Sequence, residues 1–153
     1  MYSKNQQVLA FIIKKYGKPS VTSLMKLCYL TDLVSIQKKH PQVTEYTYKR
    51  YNYGPFDDKI YADLEVLIAN DVIKPETEYT PRGDEFVTYQ NLDENFEFDQ
   101  INEDEKKHID EVVESLKGYG AKVLTEIAYQ TKPMKAIKAT IGGSEGINEI
   151  LNL

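Results

Sequence analysis

The sequence has one cysteine, Cys28, among 153 residues, and no tryptophan. A single cysteine excludes an intramolecular disulfide and a zinc site built from several cysteines. The longest unbroken apolar run, residues 8–13, falls far short of the ~18–20 residues that span a bilayer. No small-residue cleavage site follows that run, so it is not typical of a signal peptide. These absences predict a cytoplasmic protein without a membrane segment.

Catalytic motifs are also missing. The sequence contains neither Gly-x-Ser-x-Gly nor His-Glu-x-x-His, and the glycine-rich stretch 142–146 lacks the Lys-Ser/Thr ending of a phosphate loop. His108 has acidic neighbours, but one helix supplies at most two metal ligands in good geometry. Cys28 lies on an apolar helix stripe, which indicates a buried structural thiol. We therefore predict no catalytic residue, no metal and no cofactor. An enzyme of unrecognised type is the least favoured alternative.

What is present is typical of a soluble globular chain, with 41% hydrophobic and 28% charged residues. The length predicts one domain. The net charge of −5 is unevenly distributed, because residues 1–59 carry a net +6, residues 60–115 a net −13 and residues 116–153 a net +2. A pI near 5.1 argues against a dedicated nucleic-acid binder, for which values above about 9 are usual.

Apolar spacing and cap residues predict the secondary structure. We expect helices over about 5–16, from Ser20 to about 39, and from Asp57 or Asp58 onward, followed by a short strand at Val72 with a return over 76–79. Thr80 and Pro81 resemble a helix start. Asn102 and Glu105 predict a capping box, after which come a turn at 118–120, a further helix and a short helix or tail at 147–151. The predicted fold is mainly α with a small antiparallel β element, an α+β domain over 1–153. Within it we expect a winged-helix-like part (1–90), an acidic connector (91–100) and C-terminal helices (101–153).

The segment 45–61 is unusually rich in tyrosine. If it is extended, Tyr46 and Tyr48 share one face and Tyr51 and Tyr53 the other, so that one pair enters the core while the other stays near solvent. Tyrosine beside arginine is favoured at binding hot spots. The alternative is that these rings serve only as core and scaffold. The predicted partner-binding residues are Arg50, Tyr51, Tyr53, Gly54, Pro55, Phe56 and Tyr61.

A second functional hypothesis follows from the order of elements. Three helices followed by a strand pair are typical of winged helices, which often bind DNA. The third helix, however, carries several carboxylates near a single Lys59, and these repel phosphates. DNA binding would instead require a surface built from Lys14, Lys15, Lys18, Lys38, Lys39, Lys49 and Arg50. A winged-helix transcriptional regulator is therefore the alternative rather than the leading hypothesis.

Three stretches resemble the SocA-like antitoxin family, also called the Panacea domain. Residues 23–32 resemble its Lys-Leu-x-Lys-Leu-x-Tyr-hydrophobic-x-Asp helix, residues 53–61 its Tyr-Gly-Pro segment, and residues 119–133 its C-terminal Tyr-Gly region. The resemblance covers about residues 5–138. Asn52 stands where the family often has tryptophan, and Gln130 or Thr131 and Met134 replace its C-terminal histidine and tryptophan.

This resemblance implies a cytoplasmic antitoxin, commonly encoded beside a toxin and often associated with phages or mobile elements. Such a protein would neutralise its cognate toxin by direct binding, and some members deliver a toxin to a protease. The implied partners are therefore a toxin and, for an adaptor, a protease or chaperone. The resemblance also implies that the chain has no catalytic residues and no cofactor.

Overall fold

In a computed structural model that describes residues 1–153, the chain folds into six helices and two separate antiparallel strand pairs. This confirms the predicted mainly α fold with a small antiparallel β element. The elements, in chain order, are α1 (Lys4–Tyr16), α2 (Val21–Gln37), β1 (Lys49–Tyr51), β2 (Gly54–Phe56), α3 (Lys59–Ala69), β3 (Ile73–Tyr79), β4 (Glu85–Asn91), α4 (Glu103–Leu116), α5 (Ala121–Tyr129) and α6 (Lys132–Ala136).

Helix α2 forms the centre of the core. It begins after Ser20, whose hydroxyl accepts a hydrogen bond from the Ser23 backbone amide. Residues 23–33 are all buried, because α1, α4, α5 and the β1–β2 hairpin all pack against this helix. The two charged residues of that stretch, Lys26 and Asp32, are therefore carried into the interior.

Local cap signals place the other helices. The predicted capping box of α4 is confirmed, since Asn102 and Glu105 exchange side-chain-to-backbone hydrogen bonds. At the start of α3 the side chain of Asp57, rather than that of Asp58, accepts a hydrogen bond, from the Lys59 amide. The other carboxylate oxygen of Asp57 accepts from the Thr47 amide, so this residue joins the helix start to the chain before β1.

The β3–β4 hairpin corrects two predictions. A return over 76–79 is wrong, because β3 runs continuously to Tyr79 and pairs with β4. Thr80 and Pro81 do not start a helix but form the hairpin loop. The Thr80 amide donates to Asp84 O, the Gly83 amide donates to Thr80 O, and Gly83 has a φ of +90°. Turn chemistry therefore outweighs the helix-start pattern at this point.

The connector over 91–100 lies along α1. The rings of Phe96 and Phe98 meet edge to face at 5.1 Å, and each also packs edge to face on an N-terminal ring, Tyr2 and Phe11 respectively. The end of the chain is extended rather than helical. Its Leu151 amide donates to Tyr48 O, so the C-terminal tail lies beside β1.

Candidate functional site

The tyrosine-rich segment separates into a buried and an exposed pair, as its alternation predicts. Tyr46 and Tyr48 are buried in the core, whereas Tyr51 is 44% and Tyr53 72% exposed. The β1–β2 hairpin, in which Tyr51 pairs with Gly54 across a two-residue loop, holds the exposed pair at its tip. The hairpin therefore displays two aromatic rings on a short, hydrogen-bonded support.

Tyr61 extends this exposed group from the first turn of α3, where its side chain is 49% exposed. Phe56 lies between the two elements, with its ring centroid 4.7 Å from that of Tyr51. We refer to Tyr51, Tyr53, Phe56 and Tyr61 as the hairpin–helix surface. These four side chains surround a small cavity of about 60 Å³ against α2.

Three of the predicted contact residues are buried beneath this surface. Gly54 and Pro55 face the protein interior, and Arg50 is fully inaccessible to solvent. Tyrosine beside arginine suggested a joint contact patch, but adjacent strand residues point to opposite faces, so Arg50 turns inward while Tyr51 turns outward. In this fold Arg50 cannot present its charge to a partner.

Arg50 instead ties the hairpin to the C-terminal segment. Its guanidinium donates hydrogen bonds to Thr140 O at 2.8 Å and Gly143 O at 3.0 Å, and it stacks 5.4 Å from the Tyr129 ring centre. The glycine-rich stretch 142–146 is thus a turn in which Gly143 O accepts a hydrogen bond from Arg50.

Lys26 is a residue of this site that sequence reasoning did not single out. It is 2% exposed, lines the cavity beneath the hairpin–helix surface, and donates one hydrogen bond, of 3.2 Å, to Pro55 O. It forms no ion pair, and burial lowers its pKa to about 7. The sequence feature that could have indicated this burial is the position of the lysine within the otherwise apolar run 24–30 of a predicted helix.

Asp32, the second buried charge of α2, organises the chain that leads into the hairpin. Its carboxylate accepts hydrogen bonds from the Val43 and Thr44 amides, from the Thr44 hydroxyl at 2.6 Å and from the Tyr48 hydroxyl at 2.7 Å. Burial raises the pKa of Asp32, and these hydrogen bonds oppose the rise. Asp32 thus fixes residues 43–48 and, through them, the start of β1.

Other candidate groups lie apart from this site. Cys28 is fully buried, as predicted for a structural thiol, and burial raises its pKa. His108 is half-buried rather than exposed, and its Nε2 lies 2.9 Å from Thr31 O. No group of three or more histidine, cysteine or carboxylate side chains is arranged to hold a metal ion. None of the helices combines the length and apolar character needed to cross a bilayer.

The basic residues required for a DNA-binding surface do not form one free cluster. Lys15 pairs with Asp110, Lys18 with two glutamates of β3, and Lys38 with Glu111. Arg50 is buried. Carboxylates on neighbouring elements therefore offset much of the positive charge on which that alternative depends.

Comparison with known proteins supplies the family. No curated protein and no solved structure matches the chain. The family model described as antitoxin SocA-like, Panacea domain, matches residues 24–133, a range that contains α2 from Leu24 onward, the β1–β2 hairpin and α3. Because this match covers well over half of the 153 residues, the chain belongs to the SocA-like antitoxin family and carries its Panacea domain.

Proposed function

We propose that this chain is an antitoxin that neutralises a cognate toxin by direct protein–protein binding through the hairpin–helix surface. The observation that carries the proposal is the exposure of Tyr51, Tyr53 and Tyr61 on one face inside the family-matched region. Tyrosine is enriched at the centres of protein interfaces. It also supplies a large contact area while only two side-chain torsions must be ordered.

The support beneath these rings favours the same function. Arg50 and Gly54 hold the hairpin from inside, and Asp32 fixes the chain before it. A surface that is rigid before binding loses less conformational entropy when the partner docks. The exposed tyrosines are therefore held in place before binding, as expected of interface anchors.

The proposal is tested by co-expressing the chain with the product of the gene next to its own. We expect that product to arrest growth alone, and we expect the chain to restore growth and to co-purify with it. Neutralisation by blocking leaves the toxin level unchanged, whereas delivery to a protease shortens the lifetime of the toxin. A neighbouring product that is neither toxic nor bound by the chain contradicts the proposal.

The surface itself is tested with Tyr53→Ala. We expect the complex to weaken by roughly 30-fold or more, the effect of losing one interface hot spot. The matched control is Tyr79→Ala, because Tyr79 is 63% exposed but lies at the end of β3. Equal affinities of the two variants would place the interface elsewhere. A circular-dichroism melting curve for each variant verifies folding.

A further inference from the structure

The cavity at the hairpin–helix surface has an uncommon lining. Its lining consists of apolar side chains, three tyrosines, one threonine and one lysine, Lys26, and contains no carboxylate. The complete lining is Val21, Thr22, Met25, Lys26, Tyr51, Tyr53, Gly54, Phe56 and Tyr61. Lys26 is therefore the one basic group of the cavity, and the rest of its lining is uncharged at neutral pH.

The ammonium of Lys26 is only partly satisfied within the chain. It has three N–H donors, and one of them bonds to Pro55 O. Lysine is almost never fully buried unless it is paired, since a buried charge without a counter-ion is costly. Lys26 forms no ion pair within the chain and no carboxylate lines the cavity, so a carboxylate from a partner would find its remaining donors free.

The dimensions of the cavity limit what can enter. A single water occupies about 10–15 Å³ on the same measure, so about 60 Å³ holds a carboxylate group but not an aromatic side chain. Gly54 forms the inner wall beside the ammonium, since a Cβ there would stand 3.6 Å from Lys26 Nζ. A basic side chain would be repelled by the same ammonium.

We propose that this cavity receives an aspartate or glutamate side chain of the toxin, whose carboxylate pairs with Lys26 Nζ. The inference rests on the proposed function, because the toxin is the partner that supplies the carboxylate. Tyr51, Tyr53 and Tyr61 contact the toxin around the point of insertion. The tyrosines give contact area, and the ion pair selects a partner with an acidic residue at the matching position.

The first experiment probes the isolated chain with acetate, which carries the carboxylate alone. The chain is labelled with ¹³C at lysine Cε, and the signal that is missing from the spectrum of Lys26→Met is that of Lys26. Acetate is titrated at pH 8 and constant ionic strength. We expect acetate to move the Lys26 signal saturably toward that of a charged lysine, whereas acetamide leaves it unchanged. The exposed Lys122 is the internal control. A Lys26 signal that follows Lys122, or one that responds to inorganic phosphate but not to acetate, overturns the inference.

The second experiment uses the complex with the neighbouring gene product. We expect Lys26→Met, which retains most of the stem without the charge, to weaken the complex by about 10- to 100-fold, the range for one hydrogen bond to a charged group. Lys122→Met, next to the surface, should leave the affinity unchanged. The acidic residues of the neighbouring product are then substituted one at a time. We expect one of these variants to bind Lys26→Met and the wild-type chain with the same affinity.

The outcomes separate the two proposals. If Tyr53→Ala weakens the complex and Lys26→Met does not, the carboxylate inference is wrong and the antitoxin surface stands. If the wild-type chain forms no complex, the proposed function fails, and with it the toxin as the source of the carboxylate. Denaturation curves of Lys26→Met and of a second variant, Lys26→Gln, show that any loss of binding arises in folded protein.

Discussion

Gly54 lies directly against the side chain of Lys26, so that a Cβ added to this glycine would stand only 3.2 Å from Lys26 Cε. It would also stand 3.3 Å from the ring of Tyr129. Gly54 further adopts a φ of +103°, which side-chain-bearing residues rarely do. The Tyr-Gly-Pro segment thus needs glycine for two separate reasons, backbone conformation and close packing.

We expect Gly54→Ala to destabilise the protein more than a substitution that introduces backbone strain alone. The matched control is Gly118→Ala, because Gly118 has a similar φ of +95° but nothing within 4 Å of the added Cβ. The difference between the two unfolding free energies should be about 1–3 kcal/mol, the usual effect of overpacking. Urea denaturation measures it, and equal losses would mean that the contacts with Lys26 and Tyr129 are easily relieved.

Asp32→Ala should be strongly destabilising. It leaves the buried donors of Val43, Thr44 and Tyr48 without their acceptor. Each unsatisfied buried donor costs about 1–3 kcal/mol, so we expect a total loss of about 3 kcal/mol or more. Asp58→Ala is the control, since Asp58 is exposed and its side chain forms no cap bond. That change should stay within about 0.5 kcal/mol in the same denaturation assay.

The pH dependence of stability should report on Lys26. Its pKa is lowered to about 7 in the folded chain, against about 10.4 for an ordinary lysine. Between these values the unfolded chain binds the proton more readily, so this group makes the free energy of unfolding rise with pH. Below about pH 7 both states are protonated, and the contribution of Lys26 no longer changes with pH. Tyr51, Tyr53 and Tyr61 line the same cavity as Lys26, and the Tyr129 ring lies with Lys26 against Gly54; none of these groups is a carboxylate.

The measurement compares wild type with Lys26→Met by urea denaturation at pH 7.5 and higher. The stability of wild type relative to the variant should increase by up to about 1.4 kcal/mol for each pH unit. Other titrating groups, such as Cys28, are common to both proteins and cancel in the difference. A difference that does not vary with pH would show that the folded chain holds the Lys26 proton as tightly as the unfolded chain.

Arg50→Lys should release the C-terminal segment. A lysine lacks the planar fork with which Nη1 of Arg50 donates to Tyr51 O while Nη2 donates to both Thr140 O and Gly143 O. We expect faster amide hydrogen exchange over 140–151 and a loss of about 1–3 kcal/mol in stability. The exposed neighbour supplies the control, because Lys49→Arg should leave both quantities unchanged. Unaltered exchange in Arg50→Lys would mean that Arg50 does not hold this segment.

Much of the fold could be predicted because its signals are local. Ser20 and the Asn102–Glu105 pair mark helix starts through bonds within one turn. The alternation of tyrosines over 46–53 agrees with the buried and the exposed pair, although only Tyr51 lies in a strand, Tyr46 and Tyr48 precede β1, and Tyr53 lies in the hairpin loop. The hairpin loop at Thr80 was missed because the same residues suit either a helix start or a turn.

The candidate site was only partly predictable. Its exposed tyrosines follow from the alternation. Lys26 and Asp32 were noted only as positions of the family's helix motif, without a role, and Arg50 was expected at the surface. Their roles depend on segments far away in sequence, as the bonds from Arg50 to residues 140 and 143 show. No local pattern encodes such contacts.

By itself the sequence determined the family, the helices with their caps, and the pairing of tyrosines on opposite faces, because each depends on neighbouring residues or on a motif read in order. Only the tertiary structure decided that α2 is enclosed on nearly every side and carries an unpaired ammonium to the base of an aromatic surface. Burial is a property of the assembled elements. The removal of Lys26 from solvent therefore depends on the packing of the hairpin on α2, with Tyr61 of α3 at the same cavity.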